Sequence, residues 1–318
     1  MVGVKTTQVI FTSGGTESNA LALGGIASAS IITSTIEHDS VLANSPTAQR
    51  LPVDRDGTVN LPASEEILKN APTGSLISVM MVNNETGVIQ PVTEIARLAK
   101  TYSHNIHTDA VQAAGRLPID FHTLGVDALT LSSHKIGGPQ GVGALIVHDK
   151  LALQSVQKGG GQEMNRRAGT ENVAGIVGFG TAAQLAADDV RDVPRLAAWR
   201  DNLQKKLEQI AGHSVEVIAG GSPRVANTLN IAMRGTSSAT QVAAMDLAGI
   251  AVSAGSACSS GKVKASQVLR AMGYADDVAG AALRISLGWN TTAEDIERCA
   301  DAWRTLYERV HQKNHQAA

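Results

Sequence analysis

The sequence is poor in aromatics, poor in cysteine and nearly free of net charge. Phe, Trp and Tyr make up 3% of its 318 residues, too few for the stacking platforms that bind single-stranded nucleic acids. Lys plus Arg number 27 against 29 Asp plus Glu, a formal charge of -2. That balance offers no broad field to hold nucleic acid or an anionic membrane, so neither is expected as a direct partner. The two cysteines, Cys258 and Cys299, exclude a disulfide framework, and the paired-cysteine spacings of zinc and iron–sulfur sites are missing. No apolar run reaches the length of a transmembrane helix. Met1-Val2-Gly3-Val4-Lys5 lacks the apolar core of a signal peptide. A cytoplasmic protein is the expectation. With 18% charged and 43% hydrophobic residues the chain is globular rather than disordered.

Glycine, by contrast, is abundant at 31 residues, which suits tight strand-to-helix turns and close backbone approach to a ligand. Short apolar runs at 8–12, 31–35, 76–82, 105–108, 128–132 and 143–147 read as strands. Stretches at 17–27, 92–103 and 173–188 read as helices. The alternation predicts an α/β fold with a mainly parallel sheet, whose ligands sit at the carboxyl ends of the strands. A charged amphipathic stretch at 188–210 reads as a long helix joining two lobes. Strands are expected at 228–233, 250–253 and 283–287, and a helix at 292–312. In that last helix Ile296, Cys299, Ala300, Trp303 and Leu306 share a face, and Thr291-Thr292-Ala293-Glu294 resembles a capping box. The expected organisation is a large cofactor-binding domain over 1–188 and a smaller C-terminal α+β domain over 189–318.

Three segments of the first part carry chemistry. Phe11-Thr12-Ser13-Gly14-Gly15-Thr16-Glu17-Ser18-Asn19 runs from a strand through a small-residue turn into a helix. It is either a phosphate site at a helix N-terminus or an ordinary turn. It has no Walker lysine and no GxGxxG. In Leu131-Ser132-Ser133-His134-Lys135-Ile136-Gly137-Gly138-Pro139 a lysine follows an apolar strand. If desolvated, Lys135 loses its proton readily and can form a Schiff base; otherwise it is a loop lysine. Asp109, in His107-Thr108-Asp109-Ala110-Val111-Gln112, ends a strand. It either pairs with a cationic ring nitrogen or caps a following helix, and Gln112 is placed to reach a ring substituent. Phosphate turn, strand-end Asp and strand-end Lys, in this order on a parallel sheet, describe a pyridoxal-phosphate site.

Three further residues extend the set. Cys258 lies in Gly255-Ser256-Ala257-Cys258-Ser259-Ser260-Gly261-Lys262, a small polar loop where Lys262 and Lys264 favour its thiolate. Cys299 reads as a core residue. Arg284, a charge inside an apolar strand, suits either a substrate carboxylate or a structural ion pair. His38, just after the second strand, either stacks on a cofactor or is a loop histidine.

Taken with Val82-Asn83-Asn84-Glu85-Thr86-Gly87, Gly159-Gly160-Gly161-Gln162-Glu163 and Arg167-Ala168-Gly169-Thr170-Glu171-Asn172, these segments resemble the cysteine desulfurases. These are fold-type I pyridoxal-phosphate transferases, related to the class V aminotransferases. The form of the cysteine loop is similar to the iron–sulfur assembly and nitrogen-fixation branch. The resemblance implies pyridoxal 5'-phosphate held by Gly15, Thr16, Ser132 and His134, with Lys135 on its aldehyde and Asp109 on its ring nitrogen. Gln112 and Asn84 would contact the ring hydroxyl or its surroundings, and His38 would stack on the ring. Arg284, with Asn84, would bind the carboxylate of L-cysteine. Cys258 would take the sulfur as a persulfide, leaving alanine, and pass it to an iron–sulfur scaffold or another acceptor. No resident metal is implied, only a transient contact of Cys258 with a cluster. Thr170 would reach the phosphate of a second subunit in a homodimer. Members of the family carry an Asn-Ala-Thr-Thr strand and a Gly-Asn-Pro segment ahead of the phosphate turn, whereas this sequence begins just before the strand at 8–12. A shortened, non-catalytic paralogue acting as a binding partner is therefore one alternative. A selenocysteine lyase or aminotransferase of the same fold is another.

Overall fold

The structure, a computed structural model, describes residues 1–255 and 265–316. The chain forms two compact units. The first comprises Met1–Val53, Thr58–Asn83 and Ile89–Val190. Its sheet has seven strands: β1 (Val9–Thr12), β2 (Ile31–Ser34), β3 (Gln49–Leu51), β4 (Leu76–Ser78), β5 (Asn105–Asp109), β6 (Ala128–Ser132) and β7 (Gly143–Val147). They lie in the order β1-β7-β6-β5-β4-β2-β3. The run from β6 to β3 is parallel, and β7 is antiparallel to both β6 and β1. This is the mainly parallel α/β sheet that the alternating pattern predicts.

Every residue of β6 and β7 is buried, polar Thr130 and Ser132 included, and β7 accordingly reads as a continuous apolar run rather than as an alternating one. Ile10, Leu21, Ala22, Leu76 and Leu145 belong to one buried cluster that ties the helix Gly15–Gly25 to the sheet. Gly143 is required on β7. A side chain there would sit 2.7 Å from the Cα of Gly14 and 2.8 Å from the Leu131 carbonyl. The bare strand lets the Gly14 turn close against the sheet.

The second unit comprises Asp54–Gly57, Asn84–Val88 and Arg191–Ala318. Strands β8 (Val215–Val217), β9 (Thr228–Met233) and β10 (Ala282–Ser286) form an antiparallel sheet in the order β10-β9-β8. Its core joins Leu203 and Leu207 of the helix Val193–Ala211 to Leu229 and Ile231 of β9 and to Ile296, Cys299, Ala300 and Trp303 of the helix Ala293–Gln316. Burial pushes the Cys299 thiol up to about 11, the behaviour of a packing residue rather than a nucleophile. Asn84–Val88 is woven into this unit. Gly87, at φ 75°, lies where a side chain would come within 2.8 Å of Thr228, and its carbonyl accepts from Val225 N–H at 2.9 Å.

Several local expectations shift. The helix expected from residue 17 begins at Gly15 and ends at Gly25, because Ile26 turns extended and bridges to Leu153. The stretch at 188–210 is not one helix. The helix Val173–Asp189 gives way to a 3-10 turn, Val190–Asp192, and Pro194 opens the next helix, where its missing N–H costs no helical bond. No strand forms at 250–253. Only Ser253 pairs with Arg284 of β10, and left-handed Gly249 and Gly255 confine the extended run. The capping box lies one residue further on. Thr292 Oγ1 accepts from Asp295 N–H at 3.2 Å, and the Asp295 carboxylate accepts from Thr292 N–H at 3.0 Å. Among the described residues no helix is long and apolar enough to cross a membrane.

Candidate active site

In the first unit the chemistry collects where β5 and β6 end. The helix Gly15–Gly25 starts at Gly14 with no side chain capping its first turn. A helix N-terminus leaves its leading N–H groups without intrahelical partners and carries positive potential. Gly15 faces Ser132. A side chain at position 15 would lie 3.4 Å from the Ser132 Cβ and 3.0 Å from Val111. Bare Gly15 thus keeps a small space between the helix end and the end of β6. Ser132 Oγ lies 3.0 Å from His134 Nδ1. Partial burial, and then the Lys135 charge, hold His134 below the ordinary histidine range. The helix start at Gly15 thus faces the end of β6, where Ser132 pairs with His134, an arrangement suited to an anion.

The Glu17 carboxylate and Arg167 brace the same helix start. Arg167 Nε and Nη2 donate to the two Glu17 oxygens at 2.7 and 3.1 Å, and Ser13 N–H donates to Glu17 at 2.8 Å. Burial opposes ionisation of Glu17, but the Arg167 and Ser13 bonds outweigh it and hold the carboxyl below its usual range. Thr170, three residues on, is exposed and lines a cavity of about 160 Å³ with Thr12, Ser13, Glu163 and Arg167.

Asp109 is buried at the end of β5. Its Oδ1 accepts from Val111 N–H at 2.9 Å and its Oδ2 from Asn19 Nδ2 at 2.7 Å. Desolvation raises its pKa. Asn19, Val111 and the His38 and Lys135 charges pull it back only in part. A buried carboxyl in this condition is stabilised by a cationic hydrogen-bond donor. The alternative of a helix cap does not apply, since no regular helix begins after Asp109; the Oδ1 bond closes a turn.

Lys135 departs from expectation. All of β6 is buried, but the 3-10 turn Ser133–Ile136 carries Lys135 out of the sheet, and its side chain is exposed. The protein around it does not supply the desolvation that the preceding apolar run suggested. Its carbonyl accepts from Arg116 Nη2 at 3.4 Å, and Arg116 Nη1 donates to the Gln112 carbonyl at 2.7 Å. One guanidinium thus ties the lysine turn to the segment after Asp109.

His38 is half-buried after β2. Its Nδ1 accepts from Ser40 N–H at 3.1 Å and lies 2.8 Å from Ser40 Oγ. Beside it, Glu37 is fully buried. Ser34 Oγ donates to it, and Met80 N–H reaches both of its oxygens at 3.0 Å. Burial first, and the Asp109 charge among later causes, drive its pKa up to about 8 against the donated hydrogen bonds and Arg50. The folded state therefore binds a proton on Glu37 that the unfolded chain releases near pH 4.5. Wild-type stability is expected to fall as pH rises from about 4.5 to about 8, by at most about 1.4 kcal/mol per pH unit from this group. Glu37→Gln should remove that slope in urea unfolding curves measured across the window, and an unchanged slope would refute the assignment.

In the second unit Arg284 Nη1 donates to the Asn84 carbonyl at 2.6 Å. Arg284 also exchanges backbone hydrogen bonds with Ser253, at 2.7 and 3.0 Å. Asn230 Nδ2 donates to the Glu85 carbonyl at 3.0 Å and Ser266 Oγ to the Glu85 carboxylate at 2.5 Å. The strand-borne arginine, the Asn84 segment and the start of the cysteine loop are thus joined. Cys258 lies outside the described residues, as do Lys262 and Lys264.

The sequence reading assigned no role to Asn19, Ser40 or Glu37. Asn19 was visible as the polar end of the phosphate-turn motif, and Glu37 as the acid preceding His38. Ser40 gave no signal.

A family model described as "Aminotransferase class-V" matches residues 1–299. The chain is 38% identical to "Cysteine desulfurase IscS" of Dictyoglomus turgidum, covering 97% of this chain and 81% of that protein. It is 40% identical to a "Cysteine desulfurase" of Sinorhizobium fredii, covering 94% and 80%. Its fold is similar to the X-ray structure of a NifS-like protein from Rickettsia africae, with a TM-score of 0.87, 36% identity, and coverage of 95% and 82%.

Proposed function

The chain belongs to the cysteine desulfurases of the class-V aminotransferase family, and we propose that it uses pyridoxal 5'-phosphate to move the sulfur of L-cysteine onto Cys258, leaving L-alanine. The observation that carries the cofactor assignment is the juxtaposition in the first unit of a small-residue anion cradle with a buried, proton-prone Asp109. A phosphate satisfies the one and a protonated ring nitrogen the other. When bound, the cofactor supplies an electron sink that weakens bonds at the substrate's Cα and Cβ.

The chain's own residues then divide the work. Gly15 and Thr16 would offer N–H donors to the phosphate, and Ser132 and His134 would hold it with them. Asp109 holds the ring nitrogen in its protonated form. Gln112 and Asn84 would contact the ring hydroxyl or its surroundings, and His38 would stack on the ring. Lys135 supplies the amine that anchors the aldehyde. Arg284 takes the substrate carboxylate through its fork of donors. The Cys258 thiolate would attack the substrate sulfur: the new S–S bond forms as the Cβ–S bond breaks, the electron pair goes to Cβ, and that carbon takes up a proton to become the alanine methyl. A thiolate is the fitting acceptor for sulfur. The persulfide is then delivered to an acceptor such as an iron–sulfur scaffold protein. In this reading the enzyme is a homodimer, and Thr170 reaches the partner's phosphate.

Cys258→Ala tests the division of labour. The variant should bind cofactor as the wild type does, yet form alanine from L-cysteine roughly 100-fold more slowly or worse. Alanine is measured by amino-acid analysis. Turnover equal to wild type would refute the role of Cys258. A folded, cofactor-loaded wild type that forms no alanine would refute the reading as a whole.

A further inference from the structure

Two side chains outside the proposed set connect Asp109 to His38. Asn19 is buried in the helix Gly15–Gly25 at 1% exposure, and its Nδ2 donates twice, to Asp109 Oδ2 at 2.7 Å and to Ser40 Oγ at 2.9 Å. Both amide hydrogens are thereby spent on the site. The Asn19 Oδ1 is buried without a hydrogen-bond partner, an arrangement that costs stability and that packing alone does not call for. With Asn19 as donor, the Ser40 hydroxyl is free to donate onward to His38 Nδ1, 2.8 Å away. Ser40 N–H, which can only donate, reaches the same nitrogen at 3.1 Å. Nδ1 is therefore an acceptor, and the proton of the neutral ring resides on Nε2.

We propose that Asn19 and Ser40 are positioning residues: one amide aims the Asp109 carboxylate and, through the Ser40 hydroxyl, fixes His38 as its Nε2–H tautomer. The two functions are separable. Loss of Asn19 removes a donor from Asp109 and also frees the Ser40 hydroxyl to turn away from His38. Loss of the Ser40 hydroxyl cuts the His38 branch and leaves one Asn19 amide hydrogen without its acceptor, but keeps the Asn19–Asp109 bond. The proposal rests on the reading of Asp109 and His38 as cofactor contacts. The tautomer itself is a property of the protein without cofactor.

The first measurement uses cofactor-free protein labelled with 15N-histidine, with His38 assigned through His38→Gln. Two-bond proton–nitrogen correlations, recorded where the ring is neutral, should show wild-type His38 as the Nε2–H tautomer. Asn19→Ala and Ser40→Ala should each raise the Nδ1–H population. In the second measurement, equilibrium dialysis against pyridoxal phosphate, Asn19→Ala should weaken binding roughly tenfold, the value of a hydrogen bond to a charged group. Ser40→Ala should stay within about twofold, because the Asn19–Asp109 bond is intact. An Nδ1–H tautomer in the wild type overturns the proposal without any variant. Wild-type tautomer and wild-type affinity in both variants would reduce Asn19 and Ser40 to packing residues. Failure of the desulfurase reading would appear as absent alanine with the tautomer unchanged, so the two are judged separately.

Discussion

Lys135→Ala is expected to leave a folded protein whose turnover of L-cysteine drops by about 10³-fold or more. The turn Ser133–Ile136 lifts this side chain off the buried strand β6 into solvent. Its removal opens no cavity, and surface truncations of this kind change stability little. What is lost is the amine. Lys135→Arg should not restore activity, because a guanidinium keeps its proton and cannot attack an aldehyde. The checks are alanine formation and retention of cofactor through gel filtration after borohydride. Wild type should retain it covalently and both variants should not. Turnover within tenfold of wild type in Lys135→Ala would remove Lys135 from the site.

Asp109→Asn is expected to separate stability from function. Burial raises the Asp109 pKa above its ordinary 3.8, so in the cofactor-free protein the ionised form weakens folding once pH climbs past that value. Asn keeps the shape and loses the buried charge: its oxygen can accept from Val111, and its amide nitrogen can donate to Asn19 once the Asn19 amide turns to present the Oδ1 that has no hydrogen-bond partner in the wild type. The cofactor-free variant should therefore melt at or above the wild-type temperature at neutral pH. Loaded with cofactor it should be about 10²-fold or more slower in kcat/KM, because a neutral amide no longer holds the ring nitrogen protonated. Asp109→Ala makes the complementary case. It leaves the Asn19 and Val111 donors without their acceptor in a buried place, and should cost about 1–3 kcal/mol of stability besides activity. Thermal melts of both variants, with and without cofactor, decide the matter. Lower stability in cofactor-free Asp109→Asn, or unimpaired turnover, would contradict the account.

The parts legible in the sequence are those written locally. Gly14, Gly15 and Thr16 follow a strand and open a helix, Asp109 ends one strand, Lys135 follows another, and each sits in a contiguous run whose pattern fixes its place. The fold class followed from the same runs, since short, mostly buried strands such as β4 and β5 flank a helical stretch at 92–103. What escaped depends on contacts between distant residues. Asn19 meets Asp109 across ninety positions and Ser40 across twenty-one, and no spacing rule links them. Strand β8 is three half-buried residues with no marked alternation. The expected strand at 250–253 failed because an apolar run needs a paired neighbour, and of its residues Ser253 alone bridges to β10, at Arg284. Lys135 looked desolvated because β6 is buried, yet a four-residue turn sufficed to expose it.

The central claim is that sulfur from L-cysteine arrives on Cys258. Cofactor-loaded protein is given L-cysteine without any thiol acceptor, alkylated, digested and weighed peptide by peptide. The account predicts one added sulfur atom on the Cys258 peptide, none on buried Cys299, and alanine released in equal amount. An unmodified Cys258 while alanine forms, or the added sulfur on Cys299, would contradict it.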